Sequence, residues 1–354
     1  MFDLLVGNDG AKKLLCRMLE QGRLPGALIF TGPDGIGRKL FALEIARALN
    51  CLRMAPLSAC QMCSPCIRIG QIVGEETDAD ENKQIIWSGF ADVGVIRPPA
   101  RFIQVNQIRQ LEREAFSYPF EGKARIFLIE EADRLNDASS NALLKILEEI
   151  GLTTHIFLIT SRPDSLLPTI RSRCQHVRFS PLTSTEIEEY LRKNKAGLPF
   201  KDIQLISRLA GGSLSNALKI NLPDYKQRRA LMVGILQALT IKPDRGQLLR
   251  ASEKLTDARF KADFESQLNM LETLIRDAWI IRTAAKITID NLIVNVDLRA
   301  ELESISEKIN PSHASSWMRS IETLQQNLRV NINRRIALDA LLLGARASSL
   351  QAFN

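Results

Sequence analysis

The chain has 354 residues, a length that corresponds to two or three domains. Its composition, 45% hydrophobic and 25% charged, excludes a disordered chain. No apolar run reaches the roughly 18 residues that a membrane span needs, and MFDLLVGNDG lacks the basic and apolar stretches of a secretory signal. We therefore expect a cytoplasmic protein. The net charge of +7 is compatible with a nucleic-acid partner and equally with a solubilising surface.

The first half of the chain alternates strand and helix patterns. The apolar run Ala27–Thr31 precedes a helical pattern at Arg38–Asn50. Continuous apolar strands that alternate with helices favour a parallel sheet covered on both faces. Further strands are predicted at 125–130, 155–160 and 176–179, further helices at 103–116 and 136–149, and an irregular, polar stretch at 70–100.

A glycine-rich turn, GPDGIGRKL, lies between the first strand and its helix. Gly32, Gly35 and Gly37 would let backbone N–H groups surround an anion at a helix N-terminus. In the complete phosphate-binding motif the last two positions are Lys and Ser or Thr, whereas this chain has Arg38 and Lys39. Lys39 has no hydroxyl for magnesium, so we expect no competent magnesium–ATP site. A turn kept for folding, or phosphate binding without turnover, remains open.

A pair of acidic residues follows the strand at 125–130. In FLIEEAD, Glu130 takes the position of the Walker B aspartate that holds magnesium, and Glu131 that of the glutamate that orients water. Glu130 is one methylene longer than aspartate, which would misplace a metal ligand. The alternative is that the two carboxylates only cap the following turn.

Four cysteines lie within a short segment after the helical pattern at Arg38–Asn50. Cys51, Cys60, Cys63 and Cys66 form C-x8-C-x2-C-x2-C, which fits a tetrahedral zinc site. Four thiolates leave no open position, so the site is predicted to be structural. A redox dithiol is the weaker alternative. Cys16 is predicted to be a small buried apolar residue.

Several motifs together resemble the bacterial clamp loader of DNA polymerase III, within the AAA+ superfamily. They are the cysteine insert, NALLKILEE at 141–149, SRPDSLLPTIRSRC at 161–174 and NLRVNINRRIALDALLLG at 327–344. The resemblance implies an α/β AAA+ base domain of P-loop type at 1–180, with a zinc module at about 51–66. The pattern along the chain also predicts a small helical domain at 181–222 and an all-helical domain at 223–354, with Pro223 as a hinge between them. The resemblance implies that they are the lid domain and the collar, or oligomerisation, domain.

The altered ATPase elements resemble the delta-prime members of that family. Besides the loop and Glu130, the helix that begins GSLSNAL has Ser215 where gamma/tau members have an arginine that senses the γ-phosphate. The resemblance implies a non-hydrolysing stator that acts as an accessory subunit of the DNA-directed DNA polymerase. It also implies that Arg173, with Ser172 and Cys174, supplies an arginine finger in trans. Its implied partners are the gamma/tau and delta subunits and, through the complex, the sliding clamp and primed DNA.

Two other functions remain open at this stage. A gamma/tau-like motor would tolerate Arg38 and Lys39 and would turn over ATP alone. A zinc-containing nucleic-acid-binding module would use the AAA+ fold as a scaffold and would bind DNA with a steep salt dependence. The retained glycines leave binding of a nucleotide or phosphate open.

Overall fold

The computed structural model describes residues 2, 4–53, 58–71, 85–195, 197–242, 244–256, 264–284, 289–328 and 333–350. The chain divides into two compact units. The first is Met1–Ala196 with Ala210–Leu218, and the second is Gly197–Leu209 with Lys219–Asn354. The domain boundaries proposed from the sequence, at 180/181 and 222/223, stay predictions. No helix in the described part of the chain is both long and apolar enough to cross a membrane.

The first unit is built on a six-stranded sheet with the order β2-β3-β4-β5-β1-β6. All neighbours are parallel except β2 and β3. Strands β1, β4 and β5 are buried along their whole length, which explains why they read as continuous apolar runs. The expected parallel α/β architecture is therefore confirmed. The strands are β1 Ala27–Thr31, β2 Ile86–Trp87, β3 Val93–Ile96, β4 Arg125–Ile129, β5 Thr154–Thr160 and β6 Gln175–Arg178.

Helices cover both faces of this sheet. Alternate residues of β1 and β4 point to opposite sides, so that Phe30 joins one core and Ile29 the other. One core contains Phe41 of α2, and the other contains Leu143 of α5. The helices of this unit are α1 Asp9–Glu20, α2 Arg38–Asn50, α3 Ser64–Ile69, α4 Val105–Ala115, α5 Asp137–Glu148, α6 Pro168–Arg173, α7 Ser184–Asn194 and α9 Leu214–Lys219.

The prediction of an irregular stretch at 70–100 is wrong where β2 and β3 lie. Strand β3 has only four residues, one of them Gly94, and β2 has two, so neither gives a recognisable apolar pattern. Both strands are specified by pairing, since β3 lies in register with β4 and β2 lies antiparallel to β3. Residues 72–84 of this stretch lie outside the described residues.

The second unit is helical, as expected for the C-terminal region. Its buried core is made of apolar side chains such as Leu236, Leu274 and Ile321. Pro223 lies in the first turn of α10, where its fixed φ favours helix initiation. Its role as a hinge stays a prediction. Residues 329–332 of the 327–344 motif lie outside the described residues. The helices are α8 Phe200–Leu209, α10 Leu222–Thr240, α11 Arg245–Thr256, α12 Phe264–Thr283, α13 Ile289–Leu292, α14 Arg299–Ser306, α15 Pro311–Asn327 and α16 Arg334–Leu350.

A buried polar network ties the helices of the second unit together. Arg229 of α10 has 4% of its side chain exposed and forms an ion pair with Asp297. It also donates to Asn295 Oδ1 over 2.9 Å. Asp277 of α12 is fully buried. Its Oδ2 accepts hydrogen bonds from the backbone N–H and from the side-chain Nδ2 of Asn295, each at 2.8 Å. Each of these charges therefore has a partner, which burial requires.

Candidate functional site

The predicted nucleotide-site residues meet at one edge of the sheet. The glycine loop joins the carboxyl end of β1 to α2, Glu130 follows β4, and Ser161 follows β5. Because β1, β4 and β5 are parallel neighbours, their carboxyl ends lie together. In open α/β sheets, this edge is where ligands bind.

The glycine loop has the backbone that a phosphate cradle requires. The backbone φ angles of Gly32, Gly35 and Gly37 are 147°, 74° and 93°. Residues other than glycine rarely adopt such positive values. A Cβ at Gly32 would meet the carbonyl oxygen of Phe179. The curvature of the loop is therefore retained although the two residues that follow it are changed.

Arg38 turns back into its own loop. Its Nη2 donates to Asp34 Oδ1 over 2.5 Å, and only 7% of its side chain is exposed. Its Nη1 is buried and has no hydrogen-bond partner among the described residues. Burial lowers the pKa of the guanidinium, and the nearby Asp34 carboxylate opposes that effect. The residue at the lysine position of the motif is thus already paired within the chain.

Lys39 forms an ion pair with the Walker B position. Its Nζ lies 3.2 Å from Glu130 Oε1, and Arg97 Nε lies 2.7 Å from Glu130 Oε2. In a working site, the Ser or Thr hydroxyl at this loop position and the Walker B carboxylate both bind magnesium. Here an ammonium replaces the hydroxyl, and both oxygens of the carboxylate already face cations. This arrangement repels a divalent metal.

Glu131 forms a local ion pair at the surface. Its φ is 49°, a left-handed conformation that is uncommon outside glycine. Its carboxylate lies 2.8 Å from Arg134 Nε, and 53% of its side chain is exposed. The backbone conformation therefore directs this acid into a local surface pair.

A further acid, Asp133, is bound by residues at and just after the end of β5. Asp133 is 5% exposed; its Oδ1 accepts from Thr160 Oγ1 over 2.8 Å, and its Oδ2 accepts from Arg162 Nη2 over 2.7 Å. Ser161 Oγ donates to Asp34 over 3.4 Å. These contacts join the ends of β4 and β5 to the glycine loop through side chains.

The segment with the GSLS sequence lies directly on the glycine loop. The N–H of Ser215 donates to the carbonyl of Gly35 over 3.1 Å. A Cβ added to Gly35 would collide with Ser213 Oγ and lie 2.9 Å from Ser215 Cβ. The position at which gamma/tau members have a sensing arginine is therefore close to the loop, but it carries a short hydroxyl.

Arg173 ends helix α6 at the surface. Its Nη2 donates to Glu148 Oε1 over 2.7 Å and its Nη1 to the Thr169 carbonyl over 3.2 Å. Ser172 Oγ also donates to the Thr169 carbonyl. Cys174 is buried, which raises the pKa of its thiol to about 12, so it serves as an apolar residue. Of these three residues, Arg173 carries the charge, and 38% of its side chain is exposed.

The four clustered cysteines converge. Their Sγ atoms all lie within 4.8 Å of one another, and they form no disulfide. Cys51 Sγ lies 3.9 Å from Cys63 Sγ, and Cys60 Sγ lies 4.0 Å from Cys66 Sγ. Sulfur atoms around a tetrahedral zinc, each about 2.3 Å from it, lie about 3.8 Å apart. The cluster could therefore hold a metal ion.

Backbone N–H groups favour the ligand form of one of these thiols. The backbone N–H of Met62 and then that of Cys63, which donates to Cys60 Sγ over 3.3 Å, lower the pKa of Cys60 to about 6. A metal ligand must be a thiolate. The pKa of Cys63 is also lowered, whereas burial raises the pKa of Cys66 to about 12.

Three polar side chains attach the cysteine cluster to the rest of the unit. Arg47 Nε donates to the Cys66 carbonyl over 3.0 Å, and Lys123 Nζ donates to the Cys51 carbonyl over 3.1 Å. Asn50 is 2% exposed, and its Oδ1 accepts from the N–H groups of Lys123 and Ala124, just before β4. The cluster is therefore fixed to both α2 and the sheet.

The sequence patterns did not identify the residues that pair with the predicted site. Arg97 contacts Glu130 and Glu148 contacts Arg173, each from a distant part of the chain, and Asp133 pairs with Arg162 after β5. Asp133 stands within FLIEEAD and Glu148 within NALLKILEE, so the motifs contained both without distinguishing them. Arg97 lies in the stretch that was predicted to be irregular, and no local pattern marks it.

Two family descriptions match the chain. Residues 7–183 match the family described as DNA polymerase III, delta subunit, and residues 224–346 match DNA polymerase III, delta subunit, C terminal. The delta' subunit of DNA polymerase III from Bacillus subtilis is 25% identical over 332 residues, which covers 94% of each chain. The family match at residues 7–183 covers half of the chain.

Other relatives match over part of their length. The gamma/tau subunit of DNA polymerase III from Mycoplasma genitalium is 30% identical over 224 residues, which are 62% of this chain and 34% of that protein. The chain spans about a third of the length of such gamma/tau relatives. A gamma subunit-related protein from Thermotoga maritima, of known structure, is 17% identical, with 95% and 99% of the two chains covered and a TM-score of 0.39.

Proposed function

The chain belongs to the DNA polymerase III delta subunit family and is a delta-prime-like clamp-loader subunit; on that premise we propose that it is the stator of the loader. In this role it does not hydrolyse ATP itself. It contributes Arg173 to the ATP site of a gamma/tau neighbour. Through the assembled loader it helps to place the sliding clamp on primed DNA.

One observation carries the non-hydrolysing part of the proposal. The ion pair between Lys39 and Glu130 occupies the two positions whose side chains hold magnesium in a working site. Without the metal, the charge that develops during phosphoryl transfer lacks its main source of stabilisation. The paired Glu131 and the short Ser215 are consistent with the same conclusion.

Arg173 supports the second part of the proposal. It lies at the surface, 38% exposed, at the end of a short helix, where a neighbouring subunit could reach it. A guanidinium supplied in trans to a phosphate site can raise a rate by roughly 10³–10⁵. Its planar fork can contact two phosphate oxygens through parallel N–H bonds, a fixed bidentate geometry that a lysine ammonium lacks.

The deciding experiment measures ATP hydrolysis by the chain alone and in a loader reconstituted with gamma/tau and delta subunits. We expect no turnover by the chain alone. Arg173→Ala should lower the rate at the site that it completes, by at least about tenfold, without preventing assembly as followed by size-exclusion chromatography. Arg171→Ala, two residues earlier on the same helix and paired with Asp164, is the matched control.

Turnover by the isolated chain would instead favour a motor of the gamma/tau type. Full activity of the assembled Arg173→Ala loader would disprove the arginine finger.

We propose that the metal held by Cys51, Cys60, Cys63 and Cys66 is a structural zinc ion. Four thiolates in a tetrahedral arrangement suit zinc and leave no position for substrate. Metal analysis of protein purified without chelator should find about one zinc per chain. Cys63→Ser should abolish binding and Cys16→Ser should not; a wild-type content far below one would disprove the zinc site.

A further inference from the structure

We propose that Glu148 is a positioning residue for Arg173. Its carboxylate holds the guanidinium in the orientation in which it meets the phosphates of a nucleotide bound by the neighbouring subunit. The inference rests on the proposed role of Arg173 as an arginine finger, and it assigns to Glu148 a part in the same site.

The contact joins the ends of two helices. Glu148 is the last residue of α5 and Arg173 the last residue of α6, and Glu148 Oε1 lies 2.7 Å from Arg173 Nη2. The Thr169 carbonyl accepts from Nη1 of the same guanidinium over 3.2 Å. Two acceptors from different elements therefore restrict the rotation of the group about its long side chain.

The remaining hydrogen-bonding capacity of Arg173 suits a phosphate. A guanidinium carries five N–H donors in a rigid plane, and these two contacts use one from each Nη atom. Three donors are left, the Nε–H and one N–H on each Nη atom, in the plane that the two contacts fix. Such a fork binds phosphate in a bidentate way once its orientation is set.

The location of Glu148 argues against a role in the stability of its own helix. A carboxylate at a helix C-terminus faces the negative end of the helix dipole, which is unfavourable. The pair is also half exposed, with 38% of the Arg173 side chain and 51% of the Glu148 side chain accessible, so it contributes little to folding. The pair instead restricts the flexible Arg173 side chain before the neighbouring subunit binds. This reduces the conformational entropy that the side chain loses on assembly.

The test uses the loader reconstituted with gamma/tau and delta subunits and measures kcat and the KM for ATP. Glu148→Gln keeps the size of the side chain and removes its charge, and should lower kcat about 3–10-fold while KM changes less than about twofold. Glu148→Asp should retain part of the lost rate. Glu149→Gln, which removes the same charge from the next exposed position, should match wild type.

The double variant separates this inference from the proposal on which it depends. Glu148→Gln combined with Arg173→Ala should be no slower than Arg173→Ala alone, because Glu148 acts through Arg173. If Arg173→Ala has no effect, the arginine finger itself is wrong. If Arg173→Ala slows the loader but Glu148→Gln behaves as Glu149→Gln, the positioning role is wrong. A higher kcat for Glu148→Gln, or a slower double variant, would also overturn it.

Discussion

Lys39 occupies the loop position where a nucleotide-hydrolysing relative would have a hydroxyl, and its ammonium lies 3.2 Å from Glu130. A divalent cation could bind this carboxylate only by displacing the ammonium, which would also repel it. Arg97 strengthens the arrangement, because it faces the other oxygen of Glu130 at 2.7 Å. A single substitution at Lys39 would leave both Arg38 and Arg97 in place.

We therefore expect that restoring magnesium–nucleotide binding needs several changes at once. The triple variant Arg38→Lys, Lys39→Thr, Glu130→Asp should bind ATP in a magnesium-dependent manner, whereas Lys39→Thr alone should not. Isothermal titration with ATP, with and without magnesium, measures both. Magnesium-dependent binding by the wild-type chain would show that the internal ion pair does not block the metal.

A buried histidine should make the stability of the first unit depend on pH. His155 is 7% exposed, and burial lowers the pKa of its ring below the usual 6.5. Between its ordinary and its lowered pKa the unfolded chain binds more protons than the folded one. The free energy of unfolding therefore falls as the pH decreases through about 6.5, with a limiting slope of about 1.4 kcal/mol per pH unit.

The matching experiment compares urea unfolding of wild type and His155→Gln between pH 8 and pH 5.5. We expect the wild type to lose more stability than the variant over this interval, even though the variant is the less stable of the two at pH 8. Equal losses would mean that protonation of His155 is not linked to folding.

At the scale of elements, Arg229 and Arg228 are adjacent on α10 but differ in environment. Arg229 is 4% exposed and pairs with Asp297, whereas Arg228 is 28% exposed and pairs with Asp224 within the same helix. Removing one member of a buried pair leaves an uncompensated charge, which costs about 3–5 kcal/mol, whereas surface pairs contribute about 0–1 kcal/mol. The buried pair also joins α10 to the segment before α14.

Arg229→Ala should therefore destabilise the second unit by about 3 kcal/mol and Arg228→Ala by less than about 1 kcal/mol. Denaturant unfolding followed by circular dichroism measures both variants. Similar effects of the two substitutions would show that the buried network does not hold these helices together.

At the scale of the whole molecule, the two compact units should unfold in separate transitions. Removal of metal by a chelator should lower the midpoint temperature at which the first unit unfolds. This unit contains the cysteine cluster, and metal binding contributes to its folding free energy. Arg229→Ala should lower only the midpoint temperature at which the second unit unfolds. Differential scanning calorimetry can resolve the two, and a single transition that responds to both treatments would contradict this prediction.

The parts of the fold and site that could be predicted are those with a local signal. Strands β1, β4 and β5 are buried on both faces and read as apolar runs, and the cysteine ligands lie close together in sequence. Strands β2 and β3 are short and depend on pairing, so their pattern is weak. The contacts of Glu130 with Arg97 and of Arg173 with Glu148 arise only when distant elements pack.

The strand order has a consequence for synthesis of the chain. Strand β1 lies between β5 and β6, so that Ala27 pairs with Ile156 and Leu28 with Gln175. Both neighbours of this apolar strand are translated more than one hundred residues later. At 5–20 residues per second, β1 waits on the order of ten seconds on the ribosome before its first partner exists. For that interval its exposed backbone and apolar side chains are a target for chaperones that bind nascent chains.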